Sequence, residues 1–375
     1  MVHHPLSGRS GRPRRYGLPA AVLAAVCVMT AAPSPAAAAS PADHGHDGGR
    51  GIRHHHFDLQ AHRGGLGLVV ENTLASFANA LETGVSTLEL DVQITGDGRA
   101  VVTHDRRVSA AKCRDTGPVR EGDPQYPYVG KYVVDLTLAQ VRTLDCGSLT
   151  LPQHPGQRPS PGARMPLLSE VFALVDRYRA HKVTVNVETK VEAGAPHETA
   201  PRERFVQVVA REVRRARMLD QVTIQSFDWG ALMRMRQVEP RLPIVALTNG
   251  RQFLQPGVEG RSPWLGGIDI DDYDGDPVAA AASFGADALS PVHGDPQDGA
   301  VGDPDYRPYV TAAMVARAHA AGMRVIPWTV NDPATMHKLI DDGVDGIITD
   351  YPDRLRTVMA RHGMKPPRAY RTPRS

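Results

Sequence analysis

From Phe57 to about Asp353 the chain alternates short β-type runs with stretches of helical periodicity, and few folds accept that rhythm. The β-type runs are FDLQAH (57–62), TLELDVQIT (87–95), VTVNVETK (183–190), VTIQSF (222–227), PIVALT (243–248), ADALSP (286–291), RVIPWTV (324–330) and GIITD (346–350). Helices are expected at 73–83, closing at Gly84, at 166–178, and around 204–217, 229–237, 278–284, 310–321 and 333–341. Eight βα repeats predict a closed parallel barrel, the (β/α)8 or TIM architecture of the α/β class. An open doubly wound sheet would use fewer strands and a glycine-rich nucleotide loop. HRGGLGL at 62–68 has the glycines without the G-x-G-x-x-G spacing. A ninth run, AVVTHD (100–105), follows a Gly96-Asp97-Gly98 turn and reads as the return strand of a hairpin. Residues 106–166 then break the rhythm with Pro, Gly and two cysteines, an insertion with one short helix around 138–144.

The N-terminal residues carry a different signature. Arg9, Arg12, Arg14 and Arg15 precede an apolar stretch at 18–32 and a small-residue run at 36–39, which predicts a secretory signal over residues 1–39. The apolar stretch is shorter than the roughly 20 residues a stable membrane span needs. Cys27 within it lacks a lipid-attachment context, so a secreted protein without a membrane anchor is expected. Residues 40–56, rich in Gly and His, read as a flexible linker. The barrel is assigned to 57–362 and a tail to 363–375. Residues 1–39 hold four arginines and no acids, so their removal takes the formal net charge from +2 to −2. The basic balance therefore belongs mostly to the signal, which argues against a nucleic-acid partner, whose footprint would be a clustered basic face. Cys113 and Cys146 are left as an even pair in an exported chain, which favours a disulfide. Closing the loop between them would stabilise the fold by roughly 3 to 4 kcal/mol.

In such a barrel the chemistry sits at the carboxyl ends of the strands, and polar residues gather there. Glu89 and Asp91 are two apart on one strand, so they share a face. Glu188 and Lys190 repeat that spacing on a later strand. Converging carboxylates repel unless a cation lies between them. Three of them make a hard, oxygen-lined pocket suited to Ca²⁺ or Mg²⁺, whereas zinc chemistry would ask for Cys and His ligands. His62-Arg63 and His104-Asp105 close two further strand ends.

Together these pieces resemble the glycerophosphodiester phosphodiesterase family. The resemblance rests on AHRG (61–64), ENT (71–73), LELDV (88–92), THD (103–105), VETK (187–190), QSFD (225–228), WTVN (328–331) and GVDGIITDYP (343–352), eight motifs in order from Ala61 to about Asp353. One departure is Val70, where the family usually has Pro before Glu-Asn-Thr; that costs loop rigidity and no chemical group. The resemblance implies a metal-dependent barrel hydrolase that cleaves glycerophosphodiesters to glycerol 3-phosphate and an alcohol. It implies Glu89, Asp91 and Glu188 as ligands of one divalent cation, Ca²⁺ or Mg²⁺, and His62 and His104 as the acid–base pair. Arg63 and Lys190 are implied to hold the phosphate, and Phe227 and Trp328 to wall the glycerol. The chemistry agrees, because non-bridging phosphate oxygens gain charge as the ester bond breaks and cations stabilise that charge. Imidazoles suit the proton transfers, with His62 read as base and His104 as acid in an in-line attack through a cyclic glycerol phosphate.

Two readings compete. A phospholipase D-like or phosphoinositide-cleaving enzyme of the same superfamily would expose an aromatic-rich rim. Aromatics are 5% of the chain, and YPYVGKY (126–132) is the one candidate rim, unless it packs beneath the disulfide. A non-catalytic binder of glycerophosphate polymers would have lost a histidine or a metal carboxylate, and none is missing. The acidic run DIDDYDGDP (269–277) lacks the EF-hand pattern and reads as a solvated loop.

Overall fold

Eight parallel strands curve around one axis in the computed structural model of the chain, which describes residues 57–372. The expected signal (1–39) and linker (40–56) lie outside the described residues. The strands are β1 (Asp58–Ala61), β2 (Thr87–Ile94), β3 (Ala100–Val102), β4 (Thr184–Thr189), β5 (Val222–Ser226), β6 (Ile244–Thr248), β7 (Ala288–Pro291), β8 (Arg324–Val325) and β9 (Gly346–Thr349), with β3 antiparallel on β2 as a hairpin arm outside the ring. Ladders join the others in the order β8-β7-β6-β5-β4-β2-β1-β9. Asp345 N–H donates to Val325 O at 2.9 Å and Ile348 N–H to Pro327 O at 2.9 Å, which brings β9 back to β8 and completes the (β/α)8 barrel. All eight residues of β2 are buried, as expected of a parallel strand covered on both faces.

The strand expected at 324–330 is shorter, because Pro327 has no N–H to give to a ladder. Only Arg324–Val325 pair regularly, and Ile326 and Trp328 donate singly to Leu289 O (3.0 Å) and Pro291 O (3.1 Å). Short polar side chains set the helix starts. Thr73 and Ser76 exchange bonds in a capping box ahead of Leu74–Thr83. Asp228, Asp276 and Asp332 accept from Gly230, Val278 and Thr335 N–H ahead of Trp229–Val238, Pro277–Ser283 and Pro333–Asp341. Asp276 closes the acidic run 269–277, where Asp269 and Asp271 also accept backbone N–H groups. Those carboxylates build turns.

Residues 106–166 pack a small core of their own around Val108, Tyr128, Val133, Leu144 and Met165. A disulfide joins Cys113 to Cys146, with 4.1 Å between their Cα atoms. Beside it the buried Asp145 accepts from Arg114 Nη2 (2.8 Å) and from the N–H groups of Gly147, Ser148 and Gly162. The short helix runs Leu138–Val141 rather than to 144, because Thr143 and Leu144 bond back three residues and tighten the turn. Of the expected rim, Tyr128 is packed inside this core, Tyr126 is exposed, and Tyr132 faces the central cleft. Beyond the last helix, Pro352–Arg361, Tyr370 is buried and its N–H donates to Leu81 O at 2.9 Å, so the described part of the expected tail lies on the barrel.

Candidate active site

The register of β2, β4 and β5 builds the floor of the site. Glu89 lies opposite Asn186, Asp91 opposite Glu188, and Glu188 opposite Gln225. Glu89, Asp91 and Glu188 each offer a carboxylate oxygen, and these oxygens lie within 4.8 Å of one another. Gln225 Nε2 donates to Glu89 Oε1 at 2.7 Å, and Asn72 Nδ2 donates to Asp91 Oδ2 at 3.0 Å. Asp91 Oδ1 is buried without a hydrogen-bond partner. Three convergent carboxylates and an unsatisfied oxygen among them fit a hard divalent cation.

The first loop brings the cation and imidazole of the HRG motif over that floor. Arg63 sits in the left-handed region (φ 51°), a conformation that costs a non-glycine residue roughly 1 kcal/mol or more. Its N–H donates to Glu89 Oε2 at 2.8 Å, which holds the turn. Gly64 follows at φ 81°, and a Cβ there would lie 2.4 Å from Ser76 Oγ, so no other residue fits without displacing the helix start. The guanidinium reaches Glu71 Oε1 (3.1 Å) and Asp91 Oδ2 (3.2 Å). His62 Nδ1 lies 2.6 Å from Asp350 Oδ1, and Asn331 Nδ2 donates to the other Asp350 oxygen at 2.6 Å. His104, past the hairpin, has Nδ1 2.7 Å from Asp105 Oδ1.

His62, Arg63, Glu89, His104, Glu188, Lys190, Phe227 and Trp328 all line one cleft of about 910 Å³, and Asp91 lies beneath Arg63 and Lys190. One wall is aromatic. Phe227 meets Trp328 edge-on at 5.4 Å and Phe253 at 5.0 Å, and Phe253 stacks on Trp264 at 4.1 Å. Two of these four stand in strand motifs; Phe253 and Trp264 stand on short helical turns after β6, Arg251–Leu254 and Pro263–Leu265, which carry no strand-end signal. Glu71, Asn72, Gln225, Asn331 and Asp350 stand inside the sequence motifs without a role assigned from sequence, and Lys112 stands outside them all. Asp350 had two cues, its place at the end of the last strand and its place within GVDGIITDYP.

The electrostatics follow from packing acids and bases together out of water. Burial, reinforced by Asp91 and Glu188, pushes the Glu89 carboxyl well above its usual range. Burial likewise lifts Glu188 to about 7 against the pull of Lys190. Asp91 is buried too, but Arg63, His104 and Lys190 outweigh burial and hold it low. Burial opposes the charge on Arg63, and Glu71, Asp91, Glu89 and Asp350 more than offset that. His104 is driven well below the usual histidine value by burial and then by Arg63 and Lys190. Two carboxyls raised beside one lowered is the pattern of like charges crowded together out of water.

A parallel barrel that gathers carboxylates, imidazoles, a guanidinium and an ammonium at its strand ends has the makeup of a phosphate-ester hydrolase. The comparisons agree. Residues 62–354 match the model of the glycerophosphoryl diester phosphodiesterase family. A glycerophosphodiester phosphodiesterase of Bacillus subtilis is 29% identical over 80% of this chain and 85% of its own length. One from Caldanaerobacter subterraneus is 28% identical over 81% of this chain and 98% of its own. The solved structure of a Silicibacter pomeroyi protein assigned to the same family superposes with a TM-score of 0.68 at 31% identity, covering 84% of this chain and 97% of that one. The chain belongs to the glycerophosphoryl diester phosphodiesterase family and is a hydrolase of that family.

Proposed function

We propose that the protein is an exported, divalent-metal-dependent enzyme that hydrolyses small glycerophosphodiesters to glycerol 3-phosphate and an alcohol. The observation that carries this reading is the convergence of Glu89, Asp91 and Glu188 beside two histidines and two cations in one cleft. The three carboxylates would hold the ion, Ca²⁺ or Mg²⁺ by the hardness of their oxygens, and a bound ion supplies charge stabilisation to the phosphate oxygens. Arg63 and Lys190 add a planar fork and a point charge for the same oxygens. Phe227 and Trp328 present apolar faces to the glycerol carbons.

Our assignment of the protons is the opposite of the one expected from sequence. Burial, and then Arg63 and Lys190, disfavour charge on the His104 ring, and with Nδ1 on Asp105 its Nε2 is the nitrogen left to accept a proton. It therefore acts as the base on the attacking hydroxyl. His62, oriented through Nδ1 by a buried Asp350 that stays ionised, returns a proton to the leaving oxygen. Attack by the neighbouring glycerol hydroxyl passes through a cyclic glycerol phosphate that water then opens. Export rests on the signal read over 1–39, with 40–56 as linker, 57–362 as the barrel carrying its insertion, and 363–375 as the tail.

Chelation followed by add-back of Ca²⁺ or Mg²⁺, across a panel of glycerophosphodiesters with products identified, tests the reading. Glycerol 3-phosphate plus free alcohol supports it; phosphocholine from glycerophosphocholine refutes the assigned bond. The aromatic wall of Phe227, Phe253, Trp264 and Trp328 favours one second reading, cleavage of lysophospholipid-type diesters, which the same panel separates.

A further inference from the structure

The insertion lines the cleft with Arg106, Val108 and Tyr132 among others, and one of its side chains, Lys112, reaches the carboxylates that hold Arg63 and His104. Lys112 Nζ lies 2.9 Å from Asp105 Oδ2 and 3.0 Å from Glu71 Oε1. The other oxygen of Asp105 holds His104 Nδ1 at 2.7 Å, and the same Glu71 oxygen receives Arg63 Nη1 at 3.1 Å. The chain of contacts thus runs His104, Asp105, Lys112, Glu71, Arg63, from a proton carrier to a phosphate grip. Backbone bonds act within each group, Asn72 N–H to Arg63 O at 3.0 Å in the first loop and Thr103 N–H to Asp91 O at 3.0 Å beside His104, and the Glu71 and Asp105 carboxylates are bridged by Lys112. Lys112 is the link, and its side chain is only 22% exposed. Its neighbour in the chain is Cys113, whose disulfide to Cys146 anchors that part of the insertion. Two carboxylates facing one ammonium also explain why Lys112 is needed there: without it, Glu71 and Asp105 repel across the gap and each is free to turn away.

We infer that Lys112 is a positioning residue, which locks the phosphate-gripping Arg63 and the proton-accepting His104 into one frame, and that the Cys113–Cys146 disulfide keeps it in place. It does not line the cleft and acts through Glu71 and Asp105. A ring displaced by about 1 Å from its productive pose costs on the order of a hundredfold in rate. A loosened one costs less, because the good pose is still visited. This inference rests on the proposed phosphodiesterase chemistry and adds to it a part that the barrel strands do not supply.

The test is steady-state kinetics on glycerophosphocholine with saturating divalent ion, paired with thermal melts. Lys112→Ala should lower kcat at least about tenfold with a smaller change in KM, and leave Tm within a few degrees. Lys112→Arg keeps a charge that can bridge two carboxylates and should recover activity to within about threefold of wild type. The double variant Cys113→Ser/Cys146→Ser should reproduce the fall in kcat, and adding Lys112→Ala to it should cost little more, because both changes release the same tether. Wild-type kcat in Lys112→Ala, or Lys112→Arg no better than Ala, would overturn the inference. Fully additive losses would overturn the part given to the disulfide. A wild-type protein that cleaves none of the diesters sinks the proposed function itself, whereas an active wild type with an indifferent Lys112 sinks only this.

Discussion

Glu89, Asp91, Glu188 and Lys190 stand on or directly after β2 and β4, while His62, Arg63, His104 and Lys112 stand on loops and on the insertion. The first group is held by backbone ladders: Asp91 and Glu188 are register partners in adjacent parallel strands, and neither can move without the barrel. The second group is held by side-chain charge, with His62 on Asp350, His104 on Asp105, and Arg63 on Glu71 and Asp91. Strand positions give a fixed charge pattern at the cost of burying carboxylates that repel. Loop positions let the moving parts of the reaction be tuned, and each tie can be cut singly without opening the core. Perturbing the strand group should therefore remove the ion and the activity together, and perturbing the loop group should grade activity while leaving the fold intact.

The largest effect is expected on the strand side. Asp91→Asn, or chelation of the wild type, should lower kcat/KM by about 10³- to 10⁴-fold, the loss of several kcal/mol of charge stabilisation. Calorimetric titration with Ca²⁺ should show that the variant has lost the site; retained binding with full activity would break the distinction at its base. On the loop side, His62→Ala and His104→Ala should each cost at least about 10²-fold, the lower range for a positioned acid or base. Both should still bind the ion, since neither ring belongs to the carboxylate set. Next in size is Asp350→Asn, which removes a charge-assisted bond worth about 1.5 to 3 kcal/mol and should slow turnover about ten- to a hundredfold. Its KM should hold, because Arg63 and Lys190 remain. A KM rise with unchanged kcat would instead assign Asp350 to substrate binding.

The same division explains what could be read from the chain. Eight strands and their carboxyl ends are local, periodic features, so Glu89, Asp91 and Glu188 were visible as i, i+2 patterns and strand-end motifs before any fold was known. Asp350 orients a histidine 288 positions away, and Lys112 joins Asp105 to a glutamate 41 positions away; no spacing rule encodes such pairs. The interior chain from Gln60 through Asn186 to Gln225 and Glu89 is similarly silent in sequence, because Gln and Asn in a strand read equally well as solvated face. Strand length failed at Pro327, where apolar periodicity continued and hydrogen bonding could not. The histidine roles are silent in sequence for another reason. Both rings follow a strand and both have a carboxylate on Nδ1, and the burial and neighbouring cations that lower the pKa of His104 come from the fold.

The smallest effect tests whether the insertion is held as the loops are, by charge, in addition to its disulfide. Burial alone would raise the pKa of Asp145, but the Ser148 hydroxyl, the Gly147 N–H and Arg114 outweigh it and hold the carboxyl at about 2. A carboxyl whose folded pKa lies below the ordinary value of 3.8 adds stability that is fully present above pH about 4 and is lost as the pH falls through about 2. Arg114 is more than half exposed, so solvent screens part of the interaction and the net contribution is about 1 kcal/mol. Asp145→Asn should therefore be less stable than wild type by that amount at pH 7 and at pH 5, and equal to it near pH 2, in paired denaturant melts. Limited proteolysis at pH 7 should cut the variant first within 106–166 and leave the barrel whole, because Asp145 ties Arg114, Gly147, Ser148 and Gly162 to one another and touches no barrel strand. A difference that persists undiminished at pH 2 would mean that shape, not charge, is what Asp145 contributes, and the insertion would then belong with the strands as a packed element.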